Sequence, residues 1–410
     1  MPRTGTATFS TGVTGLQETE YGLAQFNGSG LFSFSFGGWS WNGKGATIAR
    51  LPLSREPIDS KQDSLLVVGH FSGFGQISSG GNRFQGSLTL TSGYQYSGSL
   101  DGRFYGPAAE EIGATFSGTD SIGKQMTGTL TGRLGTAAEK FETLQNLFGR
   151  TPLPELEIAL SYTRNADGTY SDARLRSPGY SSSAVVIDPE TDTMEFGFAT
   201  LSPENRVTEE SDSRFSTYHV SPDTAGPRTY RVLNSSGSND QLALTYTNLA
   251  LETIGPKDSP SVDTARVYGI PSHFTALPRT GTGVYNGVLY GTAIGSGEKA
   301  DRFLLSGTAG LTFDWAGNVF TGTLVPVAAN ERTGENFALG TYSLINGSFA
   351  GVTGSSTYFE SDIGGVDATT GRLNGRFYGP AAEEIGAVFS LTTPGAGTVL
   401  IGSGAIVGTR

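Results

Sequence analysis

One thirteen-residue run, Gly-Arg-Phe-Tyr-Gly-Pro-Ala-Ala-Glu-Glu-Ile-Gly-Ala, occurs twice in this chain, at Gly102–Ala114 and at Gly375–Ala387. The copies lie 273 positions apart, and their matching openings, Pro2-Arg3-Thr4-Gly5-Thr6 and Pro278-Arg279-Thr280-Gly281-Thr282, lie 276 apart. Offsets that nearly agree require one duplicated module with foreign sequence between the copies. Solenoid units of about 20–50 residues are too short to give this pattern. The chain is therefore module, insert, module.

The 410 residues suffice for two or three domains with real cores. Sixty glycines, with 24 Phe and 16 Tyr but only 16% charged residues, describe a turn-rich β-protein and argue against disorder. A net charge of −11 argues against nucleic acid, which needs clustered Lys and Arg. The acidity is concentrated in residues 151–277, with 17 acids against 9 bases, which reads as a solvated face. The absence of cysteine removes disulfides, thiolate metal sites and cysteine nucleophiles. No apolar run of about 18 residues encodes a membrane helix.

Within each module, period-two alternation over short runs predicts half-buried strands. In Phe84–Thr91, Phe84, Leu88 and Leu90 share one face, and Gln85, Ser87, Thr89 and Thr91 share the other. Phe32, Phe34 and Phe36 alternate with Ser33 and Ser35. Val284, Val288, Tyr290, Leu304 and Leu311 mark comparable, less regular strands in the second copy. Asn27-Gly28, Asn42-Gly43, Asp101-Gly102, Asn286-Gly287, Asn346-Gly347 and Asn374-Gly375 are expected to be hairpin turns, because such pairs tolerate positive φ. About eight strands per module leave two adhesive edges unless the sheet closes. The expected fold is all-β, with two eight-stranded antiparallel up-and-down barrels separated by a small β-rich domain.

The expected boundaries are a barrel at 1–136, a helical linker at 137–150, the insert domain at 151–277 and a second barrel at 278–410. Phe141, Leu144, Leu147 and Phe148 are spaced three and four apart, predicting a helix over Glu139–Gly149. The insert reads as a separate domain with strands at Ile158–Arg164, Thr169–Leu175, Ala184–Ile187, Thr193–Ala199, Arg228–Leu233 and Gln241–Tyr246. An exposed acidic stretch is expected at Ser202–Ser213.

The repeated run reads as strand, stop, helical turn, strand. Gly106-Pro107 and Gly379-Pro380 break the strand, and proline suits the first position of a helical turn. Glu110-Glu111 and Glu383-Glu384 invite an acid–base reading, but adjacent residues do not share a face of such a turn. The expectation is that a glutamate caps amides or pairs with a nearby arginine.

The motif, with Gly102, Phe104, Tyr105, Gly106, Pro107, Glu110 and Glu111, then Gly375, Phe377, Tyr378, Gly379, Pro380, Glu383 and Glu384, resembles the barrel signature of bacterial transferrin-binding protein B and related surface lipoproteins. The resemblance is specific at Gly102–Phe116 and Gly375–Phe389 and extends over both barrels. It implies two lobes, each a handle domain followed by an eight-stranded barrel, with 151–277 a handle by position. It further implies a signal peptide, a lipidated cysteine and a handle ahead of the first barrel. This chain opens directly at the barrel, and the expectation is a longer natural protein, lipid-anchored at the outer-membrane surface, the anchor lying outside this chain.

Enzymatic chemistry finds no purchase in the sequence. His70, His219 and His273 lack metal-ligand spacing, and there is no nucleophile elbow, phosphate loop or dinucleotide fingerprint. No catalytic, cofactor or metal site is expected. The resemblance implies a monomeric binding protein that captures a protein ligand, such as an iron or haem carrier, for a TonB-dependent outer-membrane receptor. The alternatives are a structural or adhesive surface module and an integral outer-membrane barrel, which would point apolar side chains outward. Phe36, Trp39 and Trp41, flanking Gly37-Gly38 near an expected hairpin tip, are candidate contact residues, because tryptophan is enriched at binding hot spots. The competing reading places these rings in the barrel core.

Overall fold

The computed structural model describes every residue except 1–3, 21, 53–63, 79–80, 136–141, 148–149, 198, 208–211, 222–225, 235–241, 256–259, 274–276, 350–356, 366–368 and 396. The chain divides into two compact units, Met1–Pro152 and Leu153–Arg410.

In the first unit, β1 (Thr6–Thr19), β2 (Gly22–Ser35), β3 (Ser40–Pro52), β4 (Ser64–Ile77), β5 (Arg83–Ser92), β6 (Tyr94–Tyr105), β7 (Glu111–Thr119) and β8 (Gln125–Leu134) pair in sequence order. The last strand returns to β1, Val13 lying opposite Leu130, and closes the barrel. The alternation dictates which side chains enter. Phe84, Leu88 and Leu90 are buried, and Gln85 and Ser87 face water. The interior is a lattice of rings, with Phe34 edge-on to both Phe84 and Phe104 at 4.9 Å. Such contacts add about 0.5–1.5 kcal/mol each beyond the area they bury.

Most of the Asn-Gly and Asp-Gly pairs are not turns. Asn27-Gly28, Asn42-Gly43, Asp101-Gly102, Asn286-Gly287 and Asn374-Gly375 lie inside strands, and Asn346-Gly347 sits at an irregularity within one. The physical reason is close approach. A Cβ on Gly102 would lie 2.3 Å from the Phe84 ring, and one on Gly375 would lie 2.1 Å from the Phe359 ring. The glycines are vacancies that let an eight-stranded cylinder hold so many aromatics.

The expected helix over 139–149 is also absent from its described part. Residues 142–147 form a turn in which the Asn146 amide donates to the Thr143 carbonyl (3.1 Å) and the Thr143 hydroxyl donates to Asn146 Oδ1 (2.7 Å). These side chains offer the backbone a local alternative to helix. Glu139, Lys140, Phe141, Phe148 and Gly149 lie outside the described residues.

The second unit holds two sheets. The first comprises β9 (Thr151–Arg164), β10 (Tyr170–Leu175), β11 (Gly179–Asp188), β12 (Thr193–Phe196), β13 (Ala199–Leu201), β14 (Phe215–Val220), β15 (Arg228–Leu233), β16 (Thr247–Ile254) and β17 (Pro260–Gly269). Its order is β13-β12-β11-β9-β17-β16-β15-β14, with β10 paired to β9. The second comprises β18 (Thr282–Gly295), β19 (Arg302–Asp314), β20 (Val319–Asn330), β21 (Asn336–Ala338), β22 (Tyr342–Phe349), β23 (Tyr358–Gly364), β24 (Thr370–Tyr378), β25 (Glu384–Gly395) and β26 (Thr398–Thr409). Pairing of β18 with both β19 and β26, and of β19 with β20, closes eight of these strands, while short β21 lies beside β20. Phe313 centres its core, 4.8 Å from both Phe320 and Phe377.

The insert does not stand apart as the sequence suggested. Its sheet packs on the outside of the second barrel, strands β16 and β17 lying against β25 and β26, within one compact unit. The expected strand at Gln241–Tyr246 is irregular over its described residues, and strand structure begins at Thr247.

A buried ion pair joins the insert sheet to the barrel, and further pairs knit the insert sheet itself. Asp263 on β17 accepts from Arg302 Nε on β19 at 2.9 Å, and Glu331 accepts from Arg302 Nη1 at 2.8 Å. Arg266 bridges Glu155 (2.8 Å) and Glu252 (2.9 Å), and Glu252 also takes Arg228 (2.9 Å) and the Tyr230 hydroxyl (2.6 Å). Burial pulls the Arg302 guanidinium pKa down, and the attraction of Asp263 and Glu331 more than reverses that.

Candidate functional site: one motif in two settings

The repeated run builds the same turn twice. Gly106 and Gly379 take φ of 82° and 84°, and Ala109 and Ala382 take 59° and 57°. The Ala109 amide donates to the Gly106 carbonyl at 3.2 Å, and Ala382 to Gly379 at 3.4 Å. This is a tight turn, not the expected helical one, because left-handed alanine cannot continue a right-handed helix. Glu110 Oε2 accepts from the Ala108 amide (3.0 Å), and Glu383 Oε2 accepts from Ala381 (2.8 Å). A Cβ on Gly106 would lie 2.2 Å from that carboxylate, the far end of a flexible side chain, so it is the positive φ that demands glycine there.

Alanine with positive φ is strained by about 1–2 kcal/mol, partly offset in glycine by unfolded-chain freedom. Ala109→Gly and Ala382→Gly should therefore each raise stability, by about 0.5–1 kcal/mol. Denaturant melts of the two single variants check this; destabilisation of both would refute it.

The settings diverge at the next residue. In the first copy Glu111 is exposed and pairs with Arg133 on the adjacent strand at 3.1 Å. In the second copy Glu384 lies opposite Thr409 and is 3% exposed. Its carboxylate accepts three consecutive amides, from Thr245 (2.6 Å), Tyr246 (2.9 Å) and Thr247 (2.9 Å). Burial pushes the Glu384 carboxyl up from its usual range, and the three amide bonds pull it part of the way back. The residues after β17 complete the seal. Ser272 donates its amide to the Phe377 carbonyl (2.9 Å), and Gly379 donates to the Ile270 carbonyl (2.9 Å). Tyr378 is 1% exposed, whereas its counterpart Tyr105 is 51% exposed.

The barrel wall beside the motif differs in the same sense. Val388 lies opposite Ala405, and Gly386 opposite Val407; all are buried on the outer face under the insert sheet. The equivalent pairs in the first barrel are Thr115 opposite Thr129 and Gly113 opposite Thr131, with the threonines exposed. A Cβ on Gly386 would strike Val267 Cγ1 at 2.2 Å, whereas on Gly113 its nearest neighbour is the Tyr105 ring at 3.1 Å.

Of the aromatic candidates, Phe36 and Trp41 are each 2% exposed and belong to the first barrel's core. Trp41 stacks on Phe32 at 5.3 Å and donates its indole N–H to the Gln85 carbonyl at 3.0 Å. Alternation on β2 and β3 sends both inward, so neither offers a contact surface. Trp39 sits at the turn between these strands with φ of 50°, half-buried against the core edge. The structure brings Phe104 and Phe377 into the two cores, as the alternation requires. Among the described residues, no cluster of three or more His, Asp or Glu could hold a metal ion.

No protein-family profile and no curated protein sequence matches the chain. Solved structures do. The Trp-176-Ala mutant of the vaccine antigen transferrin-binding protein B from Haemophilus parasuis Hp5 gives a TM-score of 0.36 at 13% identity, over 100% of this chain and 76% of that one. Intact Ap-TbpB, with N and C lobes, gives 0.35 at 13% identity over 99% and 76%. The isotype 1 protein from serogroup B Neisseria meningitidis gives 0.32 at 14% identity over 100% and 77%. The chain is similar to transferrin-binding protein B. At these scores the likeness assigns no residue a role, and the paired barrels rest on the strand pairing described above.

Proposed function

We propose that this chain is a non-enzymatic binding protein of the Gram-negative cell surface, resembling transferrin-binding protein B, which captures a protein ligand such as an iron or haem carrier for a TonB-dependent receptor. The observation that carries this reading is the family-like motif, kept in full in two ring-filled barrels at equivalent turns. The cores leave recognition to outer walls and rim loops, where a rigid scaffold ordinarily presents contacts. The inward direction of Phe, Leu and Trp also opposes the pattern of an integral membrane barrel, whose apolar side chains face lipid. The chain acts as a monomer at the cell surface, with 151–277 as its handle.

The test is capture. The immobilised full chain, exposed to host fluids and to solubilised outer-membrane proteins, should retain a defined protein that a heat-unfolded control does not. Retention of nothing above the control would refute the reading. Trp39 is the rim residue assigned to contact. Trp39→Ala should weaken binding of the captured protein by about 2 kcal/mol or more while leaving most of the stability intact. Trp41→Ala should instead cost about 3–5 kcal/mol of folding stability. Equal binding by wild type and Trp39→Ala would remove Trp39 from the interface.

A further inference from the structure

We propose that the crevice between the insert sheet and the second barrel binds a small oxyanion, a carboxylate or a phosphate, on the free edge of Arg231 and the paired hydroxyls of Thr292 and Ser403. The inference goes beyond the capture of a protein ligand and does not rest on it. Both walls of the crevice belong to one compact unit of the chain.

A barrel wall under a sheet ordinarily packs apolar and dry, and directly opposed pairs on β18 and β26 mostly obey. Val288 faces Val407, Tyr290 faces Ala405, and Ile294 faces Ile401. Thr292 opposite Ser403 is the exception, set among them. These two residues are 7% and 1% exposed, and among the described residues neither hydroxyl has a hydrogen-bonding partner. Buried polar groups are otherwise almost always paired. The two hydroxyls floor a cavity of about 420 Å³, roofed by the polar end of the insert sheet at Thr217, Arg231, Thr253 and Asp263. Close-packed interiors leave few voids larger than a water, whereas sites for small molecules run to about 300–1,000 Å³.

Donors and lone pairs fix the sign of the occupant's charge. Asp212 Oδ1 accepts from the Arg214 amide (3.1 Å) and Arg214 Nε (2.8 Å), and Oδ2 accepts from Arg214 Nη2 (2.9 Å) and Arg231 Nη2 (2.8 Å). That fills the roughly four lone-pair sites of a carboxylate. Among the described residues Arg231 has no other acceptor, so its remaining N–H donors are unspent where it lines the cavity. The Phe215 ring, 4.3 Å beneath it and edge-on to Tyr290 of the barrel at 4.9 Å, fixes the guanidinium plane. Burial, with repulsion from Arg214 and Arg302, outweighs the attraction of Asp212 and holds the Arg231 pKa below its usual value. Arg302, lining the same cavity, has the opposite balance because Asp263 and Glu331 both serve it. One cation is thus provided for, and the other lacks an anion. A planar guanidinium edge matches carboxylate and phosphate alike.

The probes are inorganic phosphate and citrate, each titrated calorimetrically into the intact protein at an ionic strength held constant with sodium chloride. Saturable binding of at least one is expected in the micromolar to millimolar range, and the tighter of the two assigns phosphate or carboxylate as the chemistry of the site. Arg231→Met, which keeps a stem against Phe215, should weaken that binding at least tenfold. The double variant Thr292→Val/Ser403→Ala, which removes both hydroxyls at similar shape, should weaken it severalfold. Far-ultraviolet circular dichroism confirms that each variant is folded, and if Arg231→Met does not fold, the hydroxyl variant decides alone. Absence of saturable binding by both anions, or binding that either folded variant leaves unchanged, would overturn the proposal. The capture experiment stands or falls separately, because neither anion is a protein ligand.

Discussion

Glu384→Ala is expected to destabilise the second unit by about 3 kcal/mol or more, whereas Glu111→Ala, the same change in the same motif, should cost less than about 1 kcal/mol. The difference lies entirely in setting. Removing the Glu384 side chain strands the amides of Thr245, Tyr246 and Thr247, the last two in buried hydrogen bonds. Each unsatisfied buried donor costs about 1–3 kcal/mol. Removing Glu111 breaks only its pair with Arg133, whose side chain is 78% exposed. Urea melts of the two variants followed by tryptophan emission separate the effects, since Trp315 reports the second barrel and Trp41 the first. Similar losses in both would show that the carboxylate acts within the turn and not on the insert sheet.

Asp263→Ala should cost about 3–5 kcal/mol. Arg302 is 8% exposed, with Asp263 accepting from its Nε and Glu331 from Nη1. Loss of Asp263 leaves a buried guanidinium with a partner whose side chain is 45% exposed. Removing one member of such a pair is costlier than replacing both, because the remaining charge has lost its solvent and its counter-ion together. The double variant Asp263→Ala/Arg302→Met should therefore recover much of the loss. Thermal melts of the single and double variants decide the matter; a double variant no more stable than the single would contradict this account.

The barrels were legible because alternation is a local signal. Phe32 and Phe34, and Phe84, Leu88 and Leu90, announce an inner face without reference to any distant residue. Glycine misled for a non-local reason. Asp101-Gly102 reads as a turn in isolation, and only the ring of Phe84, brought alongside by strand pairing, explains why Cβ is excluded. Over the described residues 142–147 the helix signal yielded to Thr143 and Asn146, whose side chains close a turn. The Phe36 and Trp41 candidates failed because an aromatic near a glycine-rich tip can point either way, and strand parity decides.

The candidate site was half legible. The motif named Glu384, but nothing local says that residues 245–247 will meet it from about 140 positions away. A weaker signal was present. Ala387-Val388-Phe389 and Ala405-Ile406-Val407 are apolar at every position, whereas Ala114-Thr115-Phe116 and Thr129-Leu130-Thr131 alternate. A strand apolar on both faces is covered on both faces. The irregular second copy was thus recording the insert sheet lying upon it.

Duplicated sequences begin with equal freedom to change, and the covered wall has since taken it from one of them. Outward positions on β25 and β26 are now interior positions of a larger body, so drift there is constrained as tightly as in the ring lattice. Their counterparts on β7 and β8 stay open to substitution. Descendants of this chain should accordingly diversify through the first module and preserve the second.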